Sequence, residues 1–236
     1  MPDLFVGQKT NAENYQIVES EFHHCIRVMR NSIGSEVLVT DFDGIIHTAI
    51  IQNIEKDKAI LEIKKIYKTE STDIPKIAIA ISLTSPSDRL EWFVEKAVEN
   101  GVHEIFPMLC ERTEVKKVNI ERLLRVVKAA AKQTIRPLLP QISDLKSFDT
   151  ILNNSSTYPQ QFIGHCQDDL EGFLGKLYDA KLNTLVYIGP AGDFSAKEIK
   201  NALDKNCIPV SLGPYRLRTE TAGLTAIQIL QTIKQL

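Results

Sequence analysis

Residues 183–200 read NTLVYIGPAGDFSAKEIK, and their texture decides the fold. A short apolar run rich in β-branched residues meets two glycines and a proline, and Ser195 and Glu198 then open an amphipathic segment. Near-continuous apolar character over so short a run suits a strand buried on both faces. Gly189 and Gly192 permit a tight turn, and the Ser-x-x-Glu spacing is a capping box that starts a helix. A strand, a turn and a helix in immediate succession make half of a β-α-β unit.

The same alternation continues on both sides. KIAIAISL (76–83), HEIFPML (103–109), QFIGHC (161–166) and CIPVSLG (207–213) read as further buried strands. SDRLEWFVEKAVENG (87–101) reads as a helix with Ser87 as its cap and Gly101 as its stop, and its Trp92 is expected in the core. NIERLLRVVKAAAKQT (119–134) is a second helix. Strands and helices in this order predict an α/β domain built on a parallel sheet covered on both faces.

Residues 36–67, EVLVTDFDGIIHTAIIQNIEKDKAILEIKKIY, differ. Their β-branched runs broken at DFDG and EKDK are strand and turn signals at barrel-like spacing. EFHHCIRVMR (21–30) precedes them, with Phe22, Ile26 and Met29 spaced as the apolar side of a short helix. KTESTDIPK (68–76) reads as a linker. The expected organisation is a β-rich domain over residues 1–70 and an α/β domain over 71–236.

Composition narrows the function. The chain has 236 residues, is 43% hydrophobic and 25% charged, and carries a net charge of −2, so no global field draws it to polyanions or anionic membranes. Any polyanion must be met by a local patch. No stretch approaches the ~20 apolar residues of a membrane span. The polar N-terminus does not resemble a signal peptide, and the cytoplasm is the expected compartment. Cys25, Cys110, Cys166 and Cys207 are scattered without zinc-like spacing and are expected to be buried, reduced thiols.

Open α/β sheets bind ligands at the C-terminal ends of their strands. Two successive strand-end loops, 189–195 and 211–221, are therefore expected to face one another. One is glycine-rich and fits neither GK[ST] nor GxGxxG; the competing reading is a turn that needs glycines for geometry alone. The other, SLGPYRLRTETAG (211–223), holds Arg216, Arg218 and Glu220. Arginines at a helix N-terminus oppose the macrodipole, so they answer to something outside the helix or to an ion pair with Glu220.

Residues 112–136 carry eight Lys/Arg against two Glu, the one local excess suited to a polyanion; a solvated helix face is the competing reading. Within it, Arg112, Lys128 and Lys132 suit phosphate, and Gln133 and Arg136 suit base edges or phosphate. On the first helix, His24, Arg27 and Arg30 are spaced to share a face toward RNA, whereas the adjacent His23 and His24 point apart and make a poor metal site.

Five segments together resemble the SPOUT-type RNA methyltransferases, in particular the ribosomal RNA small subunit methyltransferase E family. LGPYRLRTETAGLTAI (212–227) is similar to that family's C-terminal motif, and IGPAGDFSAKEI (188–199) to its IGPEGGFS. HHCIRVMRNSIG (23–34), EKAVENGVHEIFPMLCER (95–112) and AAAKQTIRPLLP (129–140) resemble HHLxxVLRxxxG, ELGVxxIxPxxxxR and AxEQSxRxxxP, all in the family's order. The resemblance implies an N-terminal PUA-like β-barrel and a C-terminal α/β domain whose last segment forms a trefoil knot. It implies methyl transfer from S-adenosylmethionine to N3 of a uridine in 16S rRNA of the small ribosomal subunit, by a homodimer that needs no metal and no membrane. The implied cofactor site takes Leu83 and Ile188, then Gly189, Pro190 and Gly192. Ser211, Leu212 and Gly213 line it from the next strand end, and Leu217, Arg218, Thr221 and Ala222 from the last helix.

Removing the N3 proton spreads charge over two uridine carbonyls, which a positioned guanidinium stabilises. Arg218 is expected in that role, with Arg136 second and Glu220 as orienting group or proton acceptor. Two departures stand out: GPEGG reads GPAGD, placing Ala191 and Asp193 where the family has glutamate and glycine, and Lys132 replaces the glutamate of EQSxR.

Overall fold

The computed structural model describes residues 3–166 and 172–236 and divides the chain into two compact units. The first runs to Asp73 and also takes in Ala131–Leu139; the second comprises Ile74–Ala130 and Pro140–Leu236.

In the first unit the strands are β1 (Leu4–Val6), β2 (Gln8–Lys9), β3 (Asn14–Val18), β4 (Glu36–Thr40), β5 (Ile45–Ile54) and β6 (Lys58–Thr69), in sheet order β1-β4-β5-β6-β3-β2. The two outermost strands, β1 and β2, are joined by Gly7 alone, so the sheet must curl until its edges meet. Gly7 is required at that corner, because a Cβ there would lie 2.9 Å from Val39 Cγ2 and 3.1 Å from the Gln16 carbonyl oxygen. Phe5, Tyr15, Ile17, Val39, Ile51 and Leu61 fill the interior.

Between β3 and β4, helix α1 (Glu19–Phe22) runs into a π-helical turn, His23–Val28. The wider turn changes the expected face: Phe22 and Cys25 are buried, whereas Met29 is 42% exposed. Strand β6 also reaches Thr69, so two residues read as linker are strand. Residues 131–139 complete the unit through an Asp43–Leu138 bridge, a Gly44 N–H bond to the Pro137 carbonyl and a Lys68 Nζ bond to the Ile135 carbonyl.

The second unit contains β7 (Ile77–Ser82), α2 (Asp88–Glu99), β8 (Glu104–Leu109), α3 (Ile120–Gln133), β9 (Gln141–Ile142), β10 (Lys146–Ser147) and α4 (Phe148–Asn153). The last residues of α3 are counted with the first unit. After them come β11 (Gln160–Gly164), β12 (Gly172–Phe173), α5 (Leu174–Leu177), β13 (Thr184–Ile188), α6 (Ala196–Asp204), β14 (Ile208–Ser211) and α7 (Thr219–Lys234). The sheet order is β10-β8-β7-β13-β11-β14-β12, with β9 beside β8, and every pairing is parallel.

Alternation along β7 serves both faces. Ala78 and Ala80 belong to the cluster that holds Phe148 and Ile151 of α4 and Ile199 and Ala202 of α6. Ile81 points the other way, to Gly223 of α7, which also meets Phe93 of α2. The core side of α2 is Leu90, Phe93, Val94, Ala97 and Val98, and Trp92 is 43% exposed rather than core, because it falls off that stripe. Ser87 makes no side-chain cap, since its backbone is already helical. Gly101 ends the segment at φ +83°. Cys25, Cys110 and Cys207 are buried as free thiols; Cys166 is exposed. No described helix is long and apolar enough to cross a membrane.

Candidate cofactor and RNA site

Strand order brings two loops of the second unit together. Strand β13 ends at Ile188 beside β7, with Ile188 paired to Ile81, and β14 lies beyond β11. Residues 212–218 carry the chain from β14 to α7, which packs on β7 and β13. The Thr219 hydroxyl, at the start of α7, donates to the Gly189 carbonyl at 3.0 Å. The two loops expected to face one another do so, joined by this bond.

Each side of the glycine loop is fixed. Gly189 packs so closely on Phe194 that a Cβ would lie 3.0 Å from its ring. Gly192 and Asp193 both have positive φ, +92° and +70°. That explains a family glycine at position 193, and aspartate is among the few residues that enter the left-handed region readily. Its carboxylate then accepts from the Cys166 N–H at 3.0 Å and the Phe194 N–H at 2.8 Å. The Arg112 guanidinium donates to the carbonyls of Gly192 at 2.6 Å and Phe194 at 3.3 Å. Arg112, expected to meet RNA, is thus built into the loop. The expected Ser195–Glu198 capping box is present, and the second Glu198 oxygen accepts the Glu111 N–H at 2.8 Å. Burial, then the Glu198 charge, pushes the neighbouring Cys110 thiol up to about 12.

On the opposite side, the Ser211 hydroxyl bonds the Gly213 N–H and carbonyl, and Gly213 takes φ +148°. Pro214 to Arg218 are exposed, Tyr215 by 82%. Arg218 occupies the N-cap position of α7, is exposed and makes no ion pair or side-chain hydrogen bond among the described residues, so its guanidinium is available to a ligand. Glu220 does not pair with Arg216 or Arg218. It is buried and faces Arg89 of α2, 3.7 Å from Nε. Sequence reasoning missed Arg89, although an arginine in a first helical turn is the same signal that drew attention to Arg218.

These residues fit a cofactor with apolar and polar parts. Leu83 and Ile188 are buried at the ends of β7 and β13, with Leu212, Thr221 and Ala222 half-buried and Pro190 buried. The Thr84 hydroxyl, just beyond β7, is buried without a hydrogen-bond partner, a polar atom awaiting a ligand. Among the described residues no cluster of His, Cys, Asp or Glu suits a metal ion.

The remaining RNA candidates divide between the units. Lys128 is exposed on α3 in the second unit. In the first unit Arg27, Arg30 and Gln133 are exposed, and His24 is half-buried with its ring 5.8 Å from that of Phe5. Arg30 lies past the π-helical turn at φ +57°, so the three do not form one helical face. Lys132 is 2.8 Å from both Glu21 carboxylate oxygens and lies over the Phe5 ring, so its charge is spent internally. Buried Arg136 pairs with Glu70 at 3.2 Å.

Residues 71–231 match the family model described as an RNA methyltransferase domain, and residues 19–64 match that of an RNA methyltransferase PUA domain. Ribosomal RNA small subunit methyltransferase E of Bacillus subtilis is 27% identical over 242 residues, covering 97% of this chain and 93% of that protein. A crystal structure of a probable rRNA methyltransferase from Porphyromonas gingivalis superposes with TM-score 0.89 at 31% identity, over 99% of this chain and 98% of that one. The Neisseria gonorrhoeae ribosomal RNA small subunit methyltransferase E, solved bound to S-adenosyl methionine, gives TM-score 0.84 at 25% identity, over 98% of both chains. The chain belongs to the RNA methyltransferase family, in the branch of the ribosomal RNA small subunit methyltransferase E proteins.

Proposed function

We propose that the chain uses S-adenosylmethionine to methylate N3 of a uridine in 16S rRNA of the small ribosomal subunit. The observation that carries this is the Thr219–Gly189 bond, which closes the two motif loops on one another and leaves Arg218 exposed at their rim. Bound between them, S-adenosylmethionine supplies an electrophilic methyl group that needs no metal. Leu83, Ile188 and Leu212 give the apolar wall and Thr84 a hydroxyl, beside those backbone groups of the two loops that Thr219, Arg112 and Ser211 do not already engage. As N3 gives its proton to solvent, Arg218 would steady the negative charge that spreads over O2 and O4, and the N3 lone pair would take the methyl as the sulfonium S–C bond breaks and S-adenosylhomocysteine leaves. Glu220, held by Arg89, keeps the start of α7 in place. Position 191 makes no demand on this arrangement: Ala191 is exposed, and Arg112, Asp193 and Thr219 hold the loop without it. That favours an enzyme over a non-catalytic RNA-binding factor on the same fold.

The return of the chain from β14 past β11 to α7 supports a threaded, knotted end, and we assign the working form as a homodimer acting in the cytoplasm, where its substrate is. Calorimetric titration with S-adenosylmethionine should show one site per chain. Incubation with small subunits lacking the modification should then yield 3-methyluridine on nucleoside mass spectrometry. Absence of binding, or binding without a methylated uridine N3, would sink the proposal. Arg218→Ala should lower turnover about a hundredfold with little change in cofactor affinity; equal losses in both would make Arg218 a cofactor contact.

A further inference from the structure

Strand β6 changes character half-way. Over residues 59–62 it is paired on both sides, to β3 and to β5. Beyond Ile63, whose N–H reaches the Glu13 carbonyl, only β5 accompanies it, so one edge of residues 64–69 has no strand partner among the described residues. The sequence there is KKIYKT, and it holds three of the eight basic residues of positions 1–70, a span with eleven Asp and Glu. Three positive charges of an acidic span therefore lie within five residues of one half-strand.

The pairing with β5 is irregular in the same place. Ala49 pairs with Ile63 and Thr48 with Lys65, leaving Lys64 as an extra residue; His47 pairs with Ile66 and Ile46 with Lys68, leaving Tyr67 as another. Bulges release a side chain from strict alternation and twist the strand. Ile66 is 58% and Tyr67 43% exposed. Lysines and bulges alone have an ordinary explanation, since they stop an open edge from recruiting another strand. An exposed isoleucine and tyrosine on that edge work against such protection and call for an occupant.

The neighbouring segment adds to the surface. Lys68 Nζ donates to the Ile135 carbonyl at 2.9 Å, which sets the turn after exposed Gln133 against the end of β6. Lys65 has no ion-pair partner among the described residues, and the Lys64–Glu62 pair is half-exposed and readily exchanged for a phosphate. Flat aromatic surface bordered by flexible cations and an amide is the chemistry that takes a single-stranded nucleic acid.

We propose that the distal half of β6, Lys64 to Thr69, is a docking strip for a single-stranded segment of the ribosomal RNA, with Tyr67 stacking a base and Lys64 and Lys65 meeting phosphates. This rests on the RNA methyltransferase reading. The strip belongs to the first unit and the proposed chemistry to the second, so it contributes affinity and register rather than turnover.

The test uses the full chain, with unmodified small subunits and a single-stranded oligouridylate as the two probes. Lys64→Ala/Lys65→Ala should lower the slope of log affinity against log salt by about 1.4, roughly 0.7 for each single-strand phosphate contact. Tyr67→Ala should weaken binding about tenfold, and Tyr67→Phe should restore it. KM for subunits should rise while kcat and the calorimetric affinity for S-adenosylmethionine hold, and an unchanged thermal midpoint excludes misfolding as the cause. Wild-type binding with equal affinity and slope in all variants overturns the strip alone and leaves the lysines as edge protection. A change in sedimentation with unaltered RNA affinity overturns it in favour of pairing between copies. Failure of the wild type to bind either probe overturns both the strip and the reading beneath it.

Discussion

Arg112 and Asp193 illustrate how one residue's charge can be absorbed by backbone. Arg112 lies in the basic stretch 112–136, yet its guanidinium is spent on two carbonyls of the glycine loop. Arg112→Ala should therefore weaken S-adenosylmethionine binding about tenfold, the scale of losing hydrogen bonds from a charged donor, and leave the salt dependence of RNA binding unchanged. A slope lower by about one with intact cofactor affinity would restore the phosphate role. His47 offers a second residue-scale test. Burial, then the charge of Lys9, lowers its pKa below the usual histidine value, against the opposing pull of Asp43 and Asp41. The folded state then binds fewer protons than the unfolded one just below the unfolded pKa, so stability falls as pH drops through about 6.5. The thermal midpoint should fall from pH 7 to pH 5 by more in the wild type than in His47→Gln; equal falls would place the dependence elsewhere. Of these side chains, the sequence indicated Arg218 as a candidate through its place before a helix. It did not reveal that Glu220 turns to Arg89, because that partner comes from a different element.

At the scale of elements, buried strands and capped helices were the legible part. The runs 76–83, 103–109 and 183–189 all form strands of the parallel sheet, since a run buried on both faces has no polar alternation to confuse it. Residues 21–30 were harder, because the change from α to π winding leaves no mark in apolar spacing and moved Met29 off the core side. Helix α7 has little room at Gly223. A Cβ on Gly223 would lie 2.6 Å from Phe93 Cε2 and 3.1 Å from Ile81 Cδ1, both in the core. Replacing a helical glycine by alanine ordinarily adds about 1 kcal/mol, but overpacking here costs about 1–3 kcal/mol. Gly223→Ala should thus lower stability in denaturant titration and pull α7 away from β7; a gain in stability would show that the Phe93 ring yields.

For the whole molecule, two cores imply two responses. The proposed cofactor contacts lie in the second unit, so S-adenosylmethionine at a hundred times its dissociation constant should add about 2.7 kcal/mol to the unfolding of that unit. Scanning calorimetry should show the later-shifting transition move while the other stays; a single transition moving as one would mean that the units unfold together. The two textures of the chain made the two cores legible. What stayed hidden was that a stretch read as the end of a basic helix is counted with the first unit, because Pro137 and Leu138 meet Gly44 and Asp43 through backbone groups, which carry no sequence signal.

That insertion has a consequence for synthesis. The barrel strands are all made by Thr69, but the segment that pairs with Asp43, receives Lys68 and buries Arg136 against Glu70 follows some sixty residues later. At about 5–20 residues per second, the nascent first unit waits several seconds for its closing piece, with little more than a third of the second unit already produced. A fragment ending at Asp73 would stay in that waiting state for good, leaving Glu70 without its arginine.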